Sequence, residues 1–544
     1  MQFLKHYTLK YTPLSPVHIG ADESYEPGNY VIDDENHALY SFDTQAAMNG
    51  LEESDHRQLL SIVSGRPDDE MLTRVQAFFN NNRDKLIGMA HQPVLTARGI
   101  AALYHKRIGK TAQHEGRGRR VINKLEIERT FYNPVDNSPL FPGSSIKGAI
   151  RTALLDMENN GNRPRGRPNN QQFQADIFKG KFATDPMRLI SVSDASWQGS
   201  RQLPDTQVLF AVNRKREPVM KDGKLLKSQA ERSNLNQLLE CVPAMAGNLL
   251  QGSLQIQDVS GIRHDDSKLP NRKLQWDISD IAQACNAFYF DLFAKERKNL
   301  EDRGYVQREW WVKMDQLLQQ GMLKKMQGGK AFLLRVGRHS GAEGVTLNGA
   351  RKKNIKIMQG KGNKPVWENK PRTWWLAAEQ ISDTNSLLPF GWVLVEIDPV
   401  ERHETEIDME VADWFSRQLQ KQKKLSFVAE QRQKQAEERR KQERLEEQRI
   451  RDEEEAERQR IANLSPLEKD LEELLENVPP QEHDTRLLRE LESGRWQGDD
   501  ARQVAERVKS LMQAANKWLP EFAGSNKKKL KFKERSLKVQ EYLE

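Results

Sequence analysis

A chain of 544 residues with 37% apolar and 30% charged residues has room for two or three hydrophobic cores, and its net charge of +7 is modest for a nucleic-acid binder unless a balanced C-terminal third dilutes a basic N-terminal part. The N-terminal MQFLKHYTLKYTPLSPVHIG has no apolar signal core, and no later run nears the roughly 18 apolar residues of a membrane span, so a cytoplasmic protein without membrane contact is expected. Cys241 and Cys285 lie far apart with no C-x-x-C, which argues against a disulfide framework and a zinc knuckle.

Residues 6–12 (HYTLKYT) alternate as a strand and run into Pro16-Val17-His18-Ile19-Gly20. The apolar triplets at 30–32 and 38–40 flank Asp33-Asp34-Glu35-Asn36, the pattern of a hairpin. From 44 to 90, residues such as Leu59, Ile62, Val75 and Phe79 recur at helical spacing, which predicts a helical insertion within the segment 44–130. Residues 105–120 (HKRIGKTAQHEGRGRR) are basic, either a solvated loop or an RNA contact, and 158–172 has the composition of a disordered basic loop.

The stretch 139–155 (PLFPGSSIKGAIRTALL) is the element around which the chain is organised. Pro142-Gly143 signals a turn, Ser144 and Ser145 are N-cap residue types, and Ile146, Ala149, Ile150, Ala153 and Leu154 share one helical face. Lys147 and Arg151, four residues apart, share the other. A helix start carries unpaired N–H groups and partial positive charge, so this turn is a candidate phosphate site; the plainer alternative is a capped core helix with two solvated cations. A nucleotide-binding P-loop does not fit, because its Lys follows a G-x-x-x-x-G spacing that is missing here.

Further strands are expected at 188–192, 207–212, 238–242 and 254–257, helices at 278–300 and 309–326, a short strand at 331–336 and a closing strand at 388–395. The 331–336 strand empties into a glycine loop, where Gly337 and Gly341 with Arg335, Arg338 and His339 form either an anion nest or a plain surface loop. Mixed short strands in two groups predict an α+β fold, with two ferredoxin-like (RRM-like) units at 1–260 and 261–400. Past 400 the sequence is rich in Glu, Gln and Arg with no sustained heptad, and pairs such as Glu437 with Lys441 predict a charged helical stalk at 401–463. Ser465-Pro466-Leu467-Glu468 is a capping box that opens a helical domain at 464–544, which ends in a Lys-rich stretch at 527–533.

Little in the sequence suggests catalysis. His18, between two apolar residues, is either a structural histidine or a ligand contact. His264-Asp265-Asp266 and His483-Asp484 lack a second His at helical spacing, and no nucleophile elbow, H-E-x-x-H or Gly-Gly-Asp-Asp element occurs. No catalytic residue, metal site or cofactor is therefore predicted.

Four stretches together resemble the RAMP superfamily, the RNA-binding subunits of type III CRISPR effector complexes: Pro16-Val17-His18-Ile19-Gly20, the 141–151 segment FPGSSIKGAIR, the glycine loop after Arg335-Val336, and Pro389-Phe390-Gly391-Trp392. Pro371-Arg372-Thr373-Trp374-Trp375 is similar to the family's segment before the closing strand. Order and length are most similar to the subunit that caps the crRNA 3′ end in Csm complexes. The resemblance implies crRNA and adjacent backbone subunits as partners, with RNA contacts from His18, Gly20, Gly143, Ser144, Ser145, Lys147, Arg151, Arg335, Gly337, Arg338, His339, Gly341, Arg351, Lys352, Lys353 and Arg372. Where target-cutting relatives carry a catalytic Asp, this chain reads Tyr132-Asn133-Pro134-Val135, with Asp136 next to it, which implies a non-catalytic cap. Two alternatives remain: a metal-dependent ribonuclease using Asp22, Asp33, Asp34 or Asp136, and a scaffold that recruits a partner nuclease through its C-terminal extension, whose helical domain is also a candidate seat for a partner protein.

Overall fold

A computed structural model describes residues 3–398 and 406–544, apart from 50, 91–92, 111–112, 116–118, 122–124, 163–168, 198–205, 222, 234, 245–249, 262–268, 349–354 and 359–361. The chain divides into two compact units, 1–437 and 438–544.

In the first unit the alternating residues near the N-terminus become the strand Leu4–Pro13, which sits inside a seven-stranded sheet. Leu250–Gln257 flanks it on one side and Trp392–Ile397 on the other, both antiparallel, with Tyr7 opposite Leu254 and Tyr11 opposite Val395. Ala331–Arg335 closes one edge; Ile190–Val192, Ala195–Trp197 and Leu140–Phe141 extend the other. The helices Gly143–Asn159 and Ile278–Asp302 share one core with this sheet. Ile146, Ile150 and Leu154 of the first helix and Ile281, Phe288 and Phe293 of the second are buried there with Tyr11, Leu333 and Leu394. Each such side chain contributes roughly 1.5–3 kcal/mol by leaving water.

The second sheet has eight strands, in the order Gly20–Tyr25, Ile127–Thr130, Asn236–Cys241, Gln207–Lys215, Val94–Thr96, Ala38–Ser41 and Tyr30–Asp33, with Thr373–Ala378 also paired to Gln207–Lys215. It is mixed, since Ile127–Thr130 runs parallel to Asn236–Cys241 and Val94–Thr96 parallel to Gln207–Lys215, while the other pairings are antiparallel. The expected hairpin forms with Tyr30 opposite Ser41. Each sheet draws strands from both sides of residue 260, so the sheets do not follow the expected division at that point. The physical reason is that Leu4–Pro13 would be left with an open edge of unpaired N–H and C=O groups unless the distant Trp392–Ile397 strand closed it.

The insertion is helical from Thr44–Asn49 through Arg83–Ile87, around a small core of Phe42, Leu59, Phe78 and Phe79. The basic stretch at 105–120 does not begin as a loop: His105 and Arg107 end the helix Arg98–Arg107, and His105 pairs with Asp34. The helix expected at 309–326 is broken, with a π-helical turn Leu318–Met322 between Arg308–Leu317 and Leu323–Gln327.

The helix Glu406–Asn463 spans the boundary between the units, and its polar side chains form short-range pairs, such as Arg449 with Glu446 and Glu453. In the second unit Ser465 and Glu468 cap Pro466–Leu475 reciprocally. His483–Glu492, Gly498–Ala514 and Lys527–Glu541 then pack around Leu487, Leu491, Val504, Val508 and Val539. No helix among the described residues is long and apolar enough to cross a membrane.

Candidate functional site

The closing strand and the glycine loop fold back onto the segment that follows the first strand. Gly391 N–H donates to the Pro16 carbonyl at 2.9 Å, and Arg338 N–H donates to the His18 carbonyl at 2.8 Å. Gly337 has φ +79°, and a Cβ there would overlap the His18 carbonyl oxygen. This glycine therefore permits contact between two backbones, not between backbone and ligand. His18 is fully buried. Its Nδ1 donates to the Glu240 carbonyl at 2.6 Å, which leaves Nε2 as an acceptor with no partner. Burial, with Arg338 adding to it against the Glu240 bond, pushes its pKa down to about 4, so the ring is neutral at physiological pH.

Glu240 is buried at the base of this region, and burial raises its pKa despite bonds from Thr206 Oγ1 (2.7 Å) and Thr130 N–H (3.1 Å). Arg129 lies between the rings of Tyr25 and Tyr132, at 4.7 and 3.7 Å from their centroids, and reaches Glu23. The sequence reading passed over both. The available signal was a carboxylate within the apolar run Leu238-Leu239-Glu240-Cys241-Val242.

Several predicted contacts have internal partners instead. Arg335 is buried, paired to Glu296 at 2.9 Å with both side chains 3% exposed, and donates its Nε to the Phe390 carbonyl. Arg151 makes a two-pronged bond to Asp185 (3.0 and 2.8 Å) over the Phe178 ring. Arg372 pairs with Glu368 on the surface, holding that carboxyl below the usual range. Arg338 pairs with Glu128 but is half exposed. His339, at φ +60°, stacks on Trp375 (5.0 Å between centroids, 19° between planes) and bonds Gln237 at 2.7 Å; burial, with Arg338 and His18, lowers its pKa to about 4. Arg351, Lys352, Lys353 and the His264-Asp265-Asp266 triplet lie outside the described residues.

At the other turn the helix begins at Gly143, so Ser144 and Ser145 sit in the first turn and do not cap it. The cap comes from elsewhere in the chain: the Asp194 carboxylate accepts the Gly143 N–H at 2.7 Å. A Cβ on Gly143 would overlap the Val192 carbonyl. Lys147 is half-buried beside Asp185, Arg151 and Arg188, and partial burial lowers its pKa, with the two arginines adding to the effect. No hydrogen bond or ion pair reaches it among the described residues. The two turns are linked through Tyr289, whose hydroxyl donates to Ala149 O (3.1 Å) and lies 3.5 Å from Gly344 O; Asp156 accepts both N–H groups of Asn348 as a second link. Gly20 is exposed at the start of its strand.

Asp136 Oδ1 accepts the Ser138 N–H (3.1 Å) and hydroxyl (2.7 Å), and Asp33 holds its own turn through Glu35 and Asn36. Among the described residues no three His, Cys, Asp or Glu side chains are grouped so as to hold a metal ion.

The first unit is thus an α+β body built on two sheets, whose distant glycine loop is bonded to the turn after its first strand. Residues 10–247 match the RAMP superfamily model. Two solved structures are similar to it at 16% identity. One is a chain of a Csm–crRNA–target RNA ternary complex of a type III-A CRISPR-Cas system, covering 72% of this chain and 100% of its own, with TM-score 0.42. The other is Csm5 of T. onnurineus, covering 71% and 99%, with TM-score 0.38. No curated protein matches the chain.

Proposed function

We propose that the chain is a crRNA-binding, non-catalytic subunit of a type III (Csm-like) CRISPR complex, which holds the 3′ part of the guide and ends the backbone filament. The observation that carries this reading is the bond from Arg338 N–H to the His18 carbonyl, which ties the glycine loop to the family-matched segment 10–247. Beside that junction Arg338, though paired with Glu128, is half exposed, and on the linked helix Lys147 has no ion-pair partner among the described residues; both observations support these two cations as phosphate contacts. The order of the first sheet supports a ferredoxin-like unit: Leu4–Pro13, Ile190–Val192, Leu250–Gln257 and Trp392–Ile397 serve as its four strands, with Gly143–Asn159 and Ile278–Asp302 as its helices. Tyr132 in place of a carboxylate, and Asp136 occupied by its own turn, support a subunit that does not cut target RNA.

The test is to purify the protein with its neighbouring subunits and sequence the bound RNA. Guides sharing a defined 3′ region are expected, and Lys147→Glu with Arg338→Glu should reduce their retention at least tenfold while the complex still assembles. Mg²⁺-dependent cleavage that is lost in Asp136→Asn, or guide retention untouched by the double reversal, overturns the reading.

A further inference from the structure

Between the glycine loop and the start of the Thr373–Ala378 strand lies a cavity of about 290 Å³, lined by Arg335, Glu343, Val345, Pro371, Trp374 and Trp375 among others. Its volume suits a single ring system. The walls are largely aromatic and aliphatic: the Trp375 ring is held by its stack on His339, and Val345 is 68% exposed. One donor among the lining residues is unused. Trp374 is 5% exposed, and its indole N–H has no acceptor. Arg335, by contrast, spends Nε on Phe390 and Nη2 on Glu296. A buried donor without an acceptor is costly, so the indole N–H favours an occupant that brings an acceptor. A phosphate does not suit the cavity, because the arginines beside it, Arg335 and Arg216, are already paired to the Glu296 and Glu343 carboxylates. A nucleobase does: it is flat and neutral, has apolar faces to stack on indole, and carries ring-nitrogen or carbonyl acceptors on its edges.

We propose that this cavity takes one unpaired nucleobase, turned out from the RNA strand that the protein binds. The inference rests on the RNA-binding reading above and adds a site that reads a base, where the cations read only the backbone.

The test uses the full chain with single-stranded guide RNA carrying 5-iodouridine at successive positions, photocrosslinked and mapped by mass spectrometry. A crosslink at one register to the peptide containing Trp374 and Trp375 is expected, and Ala342→Trp, which fills the cavity, should abolish it. Trp374→Phe removes the N–H and keeps the ring; with an abasic site at the crosslinked register as the partner change, each alone should weaken binding roughly 5–10-fold. The two together should be no worse than either alone. Competition separates sources of the base: displacement of the crosslink by millimolar AMP, GMP, CMP or UMP shows that the base suffices without its strand, and resistance shows that the strand delivers it. Displacement by ribose 5-phosphate as effective as that by the nucleotides marks an anion site and overturns the proposal. So does full RNA affinity with crosslinks elsewhere, which leaves the RNA-binding reading standing; loss of all RNA binding removes both.

Discussion

The Gly143 turn and the Gly337 turn carry the same kind of motif, a glycine flanked by cations, and the chain uses both glycines to bring two backbones together. A side chain at 143 would meet the Val192 carbonyl, and one at 337 the His18 carbonyl. They differ in the backbone: Gly143 opens an ordinary helix, whereas Gly337 sits at φ +79°. They differ also in what flanks them. At 143 the inner cation, Arg151, is spent on Asp185 and Lys147 is left over. At 337 the inner cation, Arg335, is spent on Glu296 and Arg338 faces outward. A glycine–cation motif therefore reports how a turn is seated, with the inner cation of each committed to a carboxylate from another element.

The largest effect should come from the buried pair under the second turn. Arg335→Ala leaves Glu296 charged and unpaired, with only Trp392 Nε1 at 2.7 Å still bonded to it, and is expected to cost about 3–5 kcal/mol. Arg151→Ala, on a pair that is only part-buried, should cost less than half of that. Urea unfolding of the full chain, followed by tryptophan fluorescence, checks both, and equal losses would erase the distinction between the two turns. Next come the glycines. Gly337→Ala combines overlap with the strain of a left-handed backbone, for about 3 kcal/mol, while Gly143→Ala meets overlap alone, for about 2 kcal/mol. If the two cost the same, the backbone conformation at 337 adds nothing.

Periodicity carried the helix at 143, because Ile146, Ala149, Ile150, Ala153 and Leu154 had to share one face to be buried. It also carried the first strand and the 30–41 hairpin, where alternation and turn residues are local. What it could not carry was pairing across hundreds of residues, since nothing local says that Trp392–Ile397 lies beside Leu4–Pro13. For the same reason Asp194, which caps the Gly143 helix from 51 residues away, was invisible, and two serines of good capping type looked like the cap. The arginines misled in a related way. Charge in a loop reads as exposed until its partner is known, and the partners Glu296 and Asp185 come from other elements. Trp374 and Trp375 were legible as a pair, but the cavity beside them depends on the loop folding over the strand.

The smallest effect is one of pH, and it belongs to the second turn alone. His18 and His339 titrate near 4 in the folded chain, against about 6.5 for an unfolded histidine. The unfolded state thus binds protons first as pH falls, so the stability these two rings contribute is complete above pH 6.5 and is lost between there and about pH 4. A falling melting temperature across that window is expected, flattened by His339→Asn, a residue type that tolerates φ above zero, and by His18→Asn, which keeps a donor for the Glu240 carbonyl. Arg338 decides how much of this is burial and how much is charge, because its guanidinium opposes protonation of both rings. In Arg338→Gln both imidazole titrations, followed by NMR, should move upward together. Movement of one ring only would mean that the outward cation sits over a single histidine and is not the shared element that joins the loop to the first strand.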